Sequence, residues 1–130
     1  MAITNTLSPL RTPVAPVQAA EMVEAILVRQ PDNISGKTLK AAIMSKKGDI
    51  KGALREVEAL MAAHPSESEP IDLLASLYTQ IGDMDKAILA LKGGIKADPK
   101  NTMFRTALAQ IYLSRREYEK VEQVLLELVN

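Results

Sequence analysis

The tetrapeptide Ser35-Gly36-Lys37-Thr38 looks like the end of a phosphate-binding loop. In such a loop, glycine backbone N–H groups and one lysine hold the phosphates of a nucleotide. The full motif needs a glycine five residues before Gly36 and a strand ahead of the loop. Position 31 is a proline, and the residues ahead of it have helical spacing. The sequence therefore predicts no nucleotide site.

Few other side chains are of a type that does chemistry. His64 is the single histidine and precedes Pro65 at a predicted turn, while Asp83 and Asp85 lie at another turn, where aspartate commonly caps a helix. A metal site needs convergent ligands, and a general base needs a nucleophile or substrate beside it. The chain also lacks cysteine. We therefore predict no catalytic residue, no metal, no cofactor and no enzymatic activity.

Charge and aromatic content bear on nucleic-acid binding. Lysines are enriched in one stretch, at Lys37, Lys40, Lys46, Lys47 and Lys51. Nucleic-acid binding requires more positive charge and usually aromatic side chains that stack on bases. The whole chain has 16 basic and 16 acidic residues, with three Tyr, one Phe and no Trp. We expect a solvated basic face and no nucleic-acid partner.

Two features of the sequence bear on the cellular compartment. No apolar run approaches the ~18 to 20 residues that a membrane-spanning helix needs, so no membrane insertion is expected. The N-terminus has no basic segment followed by an apolar core, the pattern of a signal peptide. A soluble protein, either cytoplasmic or periplasmic, is predicted. Its many alanines and leucines and few aromatics are reminiscent of bacterial helical arrays.

Landmark residues of this chain recur with a period of 34. They are Pro31, Pro65 and Pro99; Gly48 and Gly82; Ala53 and Ala87; Ala41, Ala75 and Ala109; and Met44, Tyr78 and Tyr112. Each period holds two segments with helical spacing of apolar residues. The best unit, residues 68–101, reads SEPIDLLASLYTQIGDMDKAILALKGGIKADPKN. It resembles a tetratricopeptide repeat, and the resemblance extends over residues 17–130.

This resemblance implies an all-α fold, an α-solenoid of stacked antiparallel helix pairs wound as a right-handed superhelix of about seven helices. Residues 1–16 are rich in proline and are expected to form an extended or disordered lead-in. The repeat domain is expected to span residues 17–130. Its parts are a half repeat at 17–33 and repeats at 34–67, 68–101 and 102–130.

The helix predicted at 35–46 departs from the family pattern. Lys37 and Lys40 occupy positions where the family has large apolar residues. Either the register is shifted onto Leu39, Ile43 and Met44, or the lysine stems lie along the preceding helix with their ammonium groups in water.

Glycine has two predicted uses. Gly82 supplies a tight turn because glycine enters positive φ freely, whereas Arg116 replaces this turn glycine in the last unit. Gly93 and Gly94 lie inside a helix, where each costs roughly 1 kcal/mol relative to alanine. The resemblance places one of them where two helices approach closely.

A concave groove lined by the first helix of each unit is the binding surface that the resemblance implies. Its expected contact residues are Thr38, Leu39, Ala42, Lys46, Asp72, Leu73, Ser76, Gln80, Met103, Thr106, Gln110 and Leu113, and the wider set adds Ser35, Ser45, Glu69, Thr79, Ala107 and Ser114. Leu73, Met103 and Leu113 would receive a peptide or helix, with the glutamines bonding its backbone. The positions that clamp a terminal carboxylate in some family members do not match. A simply solvated surface is the alternative.

The last predicted helix presents an apolar stripe, Val121, Val124, Leu125 and Leu128, with no helix after it to cover the outer side. Such a stripe indicates a partner surface or a missing segment. The primary prediction is a protein–protein interaction scaffold or adaptor that binds a partner in its groove. The alternatives are self-assembly into a homo-oligomer through the last helix, or a fragment of a larger tetratricopeptide protein of the bacterial cell envelope.

Overall fold

A computed structural model describes residues 16–129, with side chains from residue 18 onward. These residues form seven helices and no strand: α1 (Pro16–Arg29), α2 (Ile34–Lys46), α3 (Ile50–Ala63), α4 (Glu69–Gln80), α5 (Met84–Ala97), α6 (Thr102–Ser114) and α7 (Tyr118–Val129). The prediction of an all-α fold with about seven helices is confirmed. The predicted lead-in lies outside the described residues, except for Pro16. This proline begins α1, because a missing N–H costs nothing in the first turn of a helix.

The starts of four helices are set by side chains that cap them. Asn33 Oδ1 accepts a hydrogen bond from the Gly36 N–H at 2.7 Å, and Asp49 Oδ1 accepts one from the Gly52 N–H at 2.9 Å. Asp83 and Asn101 cap α5 and α6 in the same way. Each cap satisfies a backbone donor that the first turn of a helix leaves without a partner.

The turns within the three helix pairs share one backbone conformation. Gly48 has φ 94°, Gly82 has φ 83° and Arg116 has φ 59°, all in the left-handed region. Glycine enters this region without steric cost, whereas arginine has a Cβ that opposes it. The third turn, between α6 and α7, is therefore the strained one of the three.

Two clusters of buried apolar side chains run through the stack. One joins α2, α3 and α4 and consists of Ala41, Ala53, Val57, Leu74 and Leu77. The other joins α4 to α7 and consists of Ile71, Ala75, Ala87, Ile88, Leu91, Phe104, Leu108, Ala109, Ile111, Tyr112 and Val124. Successive pairs pack on each other, since α3 contacts α4 and α5 contacts α6. The core is therefore continuous along the stack.

A glycine permits a close approach of α5 and α6. A Cβ placed on Gly94 would lie 3.0 Å from three atoms of the buried Phe104 ring, whereas one on Gly93 would meet nothing within 4 Å. The expectation of one close-packed glycine is confirmed for Gly94. Gly93 has no structural reason to be glycine.

Helix α2 adopts the second of the two arrangements expected for it. The half-buried Lys40 stem carries its Nζ to 3.8 Å from Glu24 on α1, and Lys37 Nζ lies 3.7 Å from Asp32. Leu39 is exposed, so the register is not shifted onto it, whereas Ile43 and Met44, the other two residues of that alternative, are half-buried. The ammonium groups of both lysines lie at the periphery, each beside a carboxylate.

Candidate functional site

The groove side of the stack contains an open cleft of about 420 Å³ between α4 and α6, with α5 behind it. Its polar rim consists of Asp72, Ser76, Thr79, Gln80, Gln110 and Ser114, and its apolar floor of Ala75, Met84, Leu91, Ala107 and Ile111. Helices α4 and α6 are the first helices of successive pairs, so the second helix, α5, closes the bottom of the space between them.

The rim offers hydrogen-bonding groups with little charge. Gln110 is exposed and forms no hydrogen bond within the described part of the chain, while Gln80 Nε2 donates a long bond of 3.3 Å to Ser76 Oγ. The Thr79 hydroxyl is already engaged, because it donates to the Ala75 carbonyl at 2.8 Å. Asp72 is the one charged residue among those that line the cleft, and it is exposed. The Gln110 amide is therefore free to bond a peptide backbone, and the Gln80 amide is held only by one long bond.

Four of the predicted contact residues line this cleft, namely Asp72, Ser76, Gln80 and Gln110. From the wider set, Thr79, Ala107 and Ser114 also line it. Met103 instead borders a smaller depression of about 200 Å³ near the N-terminal ends of α4 and α6. Leu73 is half-buried against the cluster that joins α2, α3 and α4, while Thr106 and Leu113 are exposed outside the cleft.

The predicted contact residues on α2 do not join the cleft: Thr38, Leu39, Ala42 and Lys46. Helices α2 and α4 contact each other directly, and Ser35 Oγ donates to Glu69 Oε2 across this contact at 2.9 Å. Thr38 turns its hydroxyl back to the Ile34 carbonyl at 2.8 Å. The cleft therefore lies between the second and third helix pairs.

Apart from Ala107, the floor of the cleft was not predicted from sequence. Met84 and Leu91 belong to α5, a second helix, and so fall outside any set drawn from first helices alone. Ala75 and Ile111 have the spacing of apolar core residues. That spacing does not reveal a cleft beside them.

The residues of the phosphate-loop-like tetrapeptide form the first turn of α2. The Gly36 N–H is bonded to the Asn33 cap, and Lys37 Nζ lies beside Asp32. The groups that would hold phosphate are thus used to start a helix. Within residues 16–129, no three His, Cys, Asp or Glu side chains are grouped so as to hold a metal, and no helix there is long and apolar enough to cross a membrane.

An ionisable side chain with a displaced pKa lies away from the cleft. Burial, together with the hydrogen bond that Tyr78 Oη donates to Glu58 at 2.8 Å, raises the pKa of Tyr78 to about 12. Lys86 Nζ lies 5.8 Å from the centre of the same ring. This tyrosine therefore links α4 to α3.

The apolar stripe predicted on the last helix is divided between two environments. Val124 is buried in the core of its own stack, and Val121 and Leu128 are half-buried. Leu125 is exposed, as are three further large hydrophobic residues of α7: Tyr118, Leu126 and Val129. The uncovered surface is therefore centred on Leu125 and is shifted around the helix from the predicted stripe.

The sequence from residue 16 to 129 matches the profile of the family described as Psidin, N-terminal TPR repeats region. The chain belongs to this tetratricopeptide-repeat family. Family membership implies a protein–protein interaction scaffold, and such repeats are generally non-enzymatic. No curated protein sequence matches the chain.

Solved structures agree on the fold. A MamA RS-1 ArsTM double mutant has a TM-score of 0.73 at 20% identity, covering 95% of this chain and 67% of that one. The Naa15/Naa10 structure bound to HypK-THB has a TM-score of 0.78 at 21% identity, covering 88% of this chain and 17% of that one. A tetratricopeptide repeat protein from Parabacteroides merdae has a TM-score of 0.72 at 22% identity, covering 86% of this chain and 45% of that one. At such identities the likeness shows the fold alone.

Proposed function

We propose that this chain is a non-enzymatic adaptor that binds a peptide or helix of a partner protein in the cleft between α4 and α6. The observation that carries the proposal is an open cleft with an apolar floor and a rim of exposed amide and hydroxyl groups. Its volume of about 420 Å³ lies within the roughly 300–1,000 Å³ that ligand pockets usually have.

The lining indicates how a partner is recognised. An apolar side chain would lie on the floor, which Leu91 and Ile111 help to form, and would be removed there from water. Gln80 and Gln110 stand on opposite sides of the cleft, on α4 and α6, and would each bond a backbone group of the partner. Asp72 adds one negative charge near one end. The proposal needs no metal and no cofactor.

A pair of tryptophan variants tests the proposal. Ser76 is exposed on the rim, so Ser76→Trp fills the cleft without disturbing the core. Ser66 is equally exposed but lies on the turn before α4, so Ser66→Trp is the matched control. Peptides would be selected from a phage library of random 12-residue sequences on the wild-type protein. Their dissociation constants would then be measured by fluorescence anisotropy.

We expect Ser76→Trp to weaken the selected peptides at least tenfold and Ser66→Trp to leave them unchanged. Thermal unfolding by circular dichroism would show that both variants are folded. Peptides that bind Ser76→Trp as tightly as the wild type, or a library that yields no binder, would refute the cleft as the partner site.

A further inference from the structure

Tyr78 and Tyr112 occupy the same position in successive repeats and have matching cations beside them. The two tyrosines are 34 residues apart, and so are Lys86 and Lys120. Lys86 Nζ lies 5.8 Å from the centre of the Tyr78 ring, and Lys120 Nζ lies 5.4 Å from the centre of the Tyr112 ring. The surroundings of the two tyrosines can therefore be compared position by position.

The two sites differ in the group that accepts the tyrosine hydroxyl. Tyr78 Oη donates to Glu58 Oε1 on α3 at 2.8 Å. At the position of Glu58, 34 residues later on α5, the chain has Lys92. The Tyr112 hydroxyl forms no hydrogen bond within the described part of the chain, although the residue is only 5% exposed. A lysine in place of the glutamate thus leaves a buried tyrosine without an acceptor.

A pocket of about 300 Å³ lies beside this tyrosine, between α5 and α7 and with α6 behind it. We name it the Tyr112 pocket, after six of the residues that line it: Lys92, Ile95, Leu108, Tyr112, Lys120 and Val124. Since Tyr78 directs its hydroxyl toward position 58, the matching direction at Tyr112 is toward Lys92. The Tyr112 hydroxyl is not among the sealed, unpaired polar atoms of the described residues, so it reaches the open space of the pocket.

The charges around the pocket favour an anion. Lys92 is exposed and forms no ion pair among the described residues. Lys120 is paired with Glu117 at 3.1 Å. Glu127, the one acidic residue among the described ones that line the pocket, is paired with Arg105 at 3.2 Å. Lys92 therefore leaves an unbalanced positive charge beside an unpaired hydrogen-bond donor, a combination that suits a carboxylate.

The floor of the pocket is apolar, since Leu108 and Val124 are buried and Ile95 is half-buried. The volume of about 300 Å³ lies at the lower end of the roughly 300–1,000 Å³ that ligand pockets usually have. A small organic acid, or one acidic side chain with its stem, suits this space. A whole helix is too large for it.

We propose that the Tyr112 pocket binds a carboxylate carried on an apolar stem. The carboxylate accepts the hydrogen bond of the Tyr112 hydroxyl, as Glu58 does for Tyr78, and the ammonium group of Lys92 balances its charge. The stem lies on the apolar floor. The pocket shares no residue with the cleft between α4 and α6, so this site does not depend on the proposed groove function.

A further helix pair packed on α7 would leave this pocket open. The matching groove between α3 and α5 is followed by α6 and α7, yet its residues Glu58, Lys86 and Leu89 are exposed. Successive pairs pack through a second helix and the next first helix, α3 on α4 and α5 on α6. The opening of the pocket is therefore a property of the repeat surface.

Isocaproate and isocaproamide test the need for a charge, because they share one apolar stem and differ in the carboxylate. Each would be titrated into the full chain at neutral pH, and the backbone amide shifts would be followed by two-dimensional NMR. We expect isocaproate to bind saturably, with the largest shifts at residues of the Tyr112 pocket. Isocaproamide should bind at least tenfold more weakly.

Two pairs of variants test the residues. Tyr112→Phe removes only the hydroxyl, and Tyr118→Phe makes the same change at an exposed tyrosine outside the pocket. Lys92→Glu installs the carboxylate found at position 58, and Lys96→Glu makes the same charge change one turn further along α5. We expect Tyr112→Phe and Lys92→Glu to weaken isocaproate binding at least tenfold, since each removes an interaction with a charged group. The two controls should weaken it at most twofold, and circular dichroism would show that all four variants are folded.

A pair of peptides identifies the source of the carboxylate. Acetyl-Leu-Glu-amide carries it on a protein side chain, and acetyl-Leu-Gln-amide is the neutral control. Tighter binding of the glutamate peptide than of isocaproate would assign the site to an acidic residue of a protein. Weaker binding of the peptide would assign the site to a free organic acid.

Three results would overturn the proposal. The first is a lack of saturable binding by both carboxylates, and the second is equal binding of each carboxylate and its neutral amide. The third is equal binding of the carboxylates to Tyr112→Phe and to the wild type.

Discussion

The junction of α5 with α6 and the outer face of α7 consist of equivalent register positions, yet they differ in what covers them. At the junction, Leu91 is buried and Gly94 lies against the Phe104 ring. On α7, Leu125 and Val129 are exposed to water. A helical phase therefore places a residue on a face, but a neighbouring helix decides whether that face is core or surface.

The largest expected difference between the two regions is in the free energy of unfolding after a leucine is truncated. Leu91→Ala should cost about 2–5 kcal/mol because it removes buried surface and leaves a cavity. Leu125→Ala should cost only about 0.5 kcal/mol, as for an exposed residue. Urea denaturation followed by circular dichroism would give both values. Equal costs would show that Leu125 is covered in solution.

A smaller effect is expected from the two adjacent glycines of α5. Gly94→Ala forces a methyl group against the Phe104 ring, an overpacking that costs about 1–3 kcal/mol and exceeds or offsets the roughly 1 kcal/mol gained in helix propensity. Gly93→Ala meets open space and should stabilise the chain by about 1 kcal/mol. Melting temperatures would rank the two variants. If Gly94→Ala were as stabilising as Gly93→Ala, the α5–α6 contact would be looser than described.

The turn before α7 offers a stabilising substitution at the uncovered end. Arg116 has φ 59° where the two internal turns have glycine. Arg116→Gly should relieve about 1–2 kcal/mol of left-handed strain and lose about 0.4–1 kcal/mol to the freedom of glycine in the unfolded chain. The two together give an expected net gain of about 0 to 1.6 kcal/mol, with a midpoint near 0.8 kcal/mol. Gly82→Ala is the reverse control and should destabilise; a loss of stability in Arg116→Gly would contradict the strain.

The smallest effect concerns Tyr78, which ties α4 to α3 at an internal junction. Burial and the Glu58 hydrogen bond raise its pKa from 10.0 to about 12 in the folded chain. The stability that the Tyr78 hydroxyl adds to the folded chain is therefore complete below pH 10 and is lost as the pH rises from about 10 to 12. Tyr78→Phe should be less stable than wild type at pH 9, and the difference in melting temperature should shrink toward pH 11.5. A difference that does not change with pH would contradict the raised pKa.

Much of the fold was predictable because its signals are local. The apolar spacing and the capping residue Asp83 act over one or two helical turns, and the 34-residue period repeats such local signals from one unit to the next. They placed the helices and identified Gly94 as one member of a pair where a close contact was expected. The alternative that α2 keeps its lysines at the periphery was also open from the stem length of Lys40.

The candidate site was predictable in part. Ser76, Gln80 and Gln110, three of the groove residues that the family resemblance implied, line the cleft. Leu73 and Leu113 do not, because a position within the repeat does not give the separation of α4 from α6. The same limit hid the role of α5, whose Leu91 forms part of the floor.

By itself, the sequence determined that this chain is a stack of helix pairs of the tetratricopeptide type, with defined helix starts and turns. Tertiary structure alone decided that a cleft lies between α4 and α6 while α2 and α4 contact each other, and that Val124 is core while Leu125 is surface. The physical reason is the distance along the sequence over which each feature is set. Capping and helical periodicity depend on residues a few positions apart, whereas burial depends on helices that are distant in sequence and pack together in the fold.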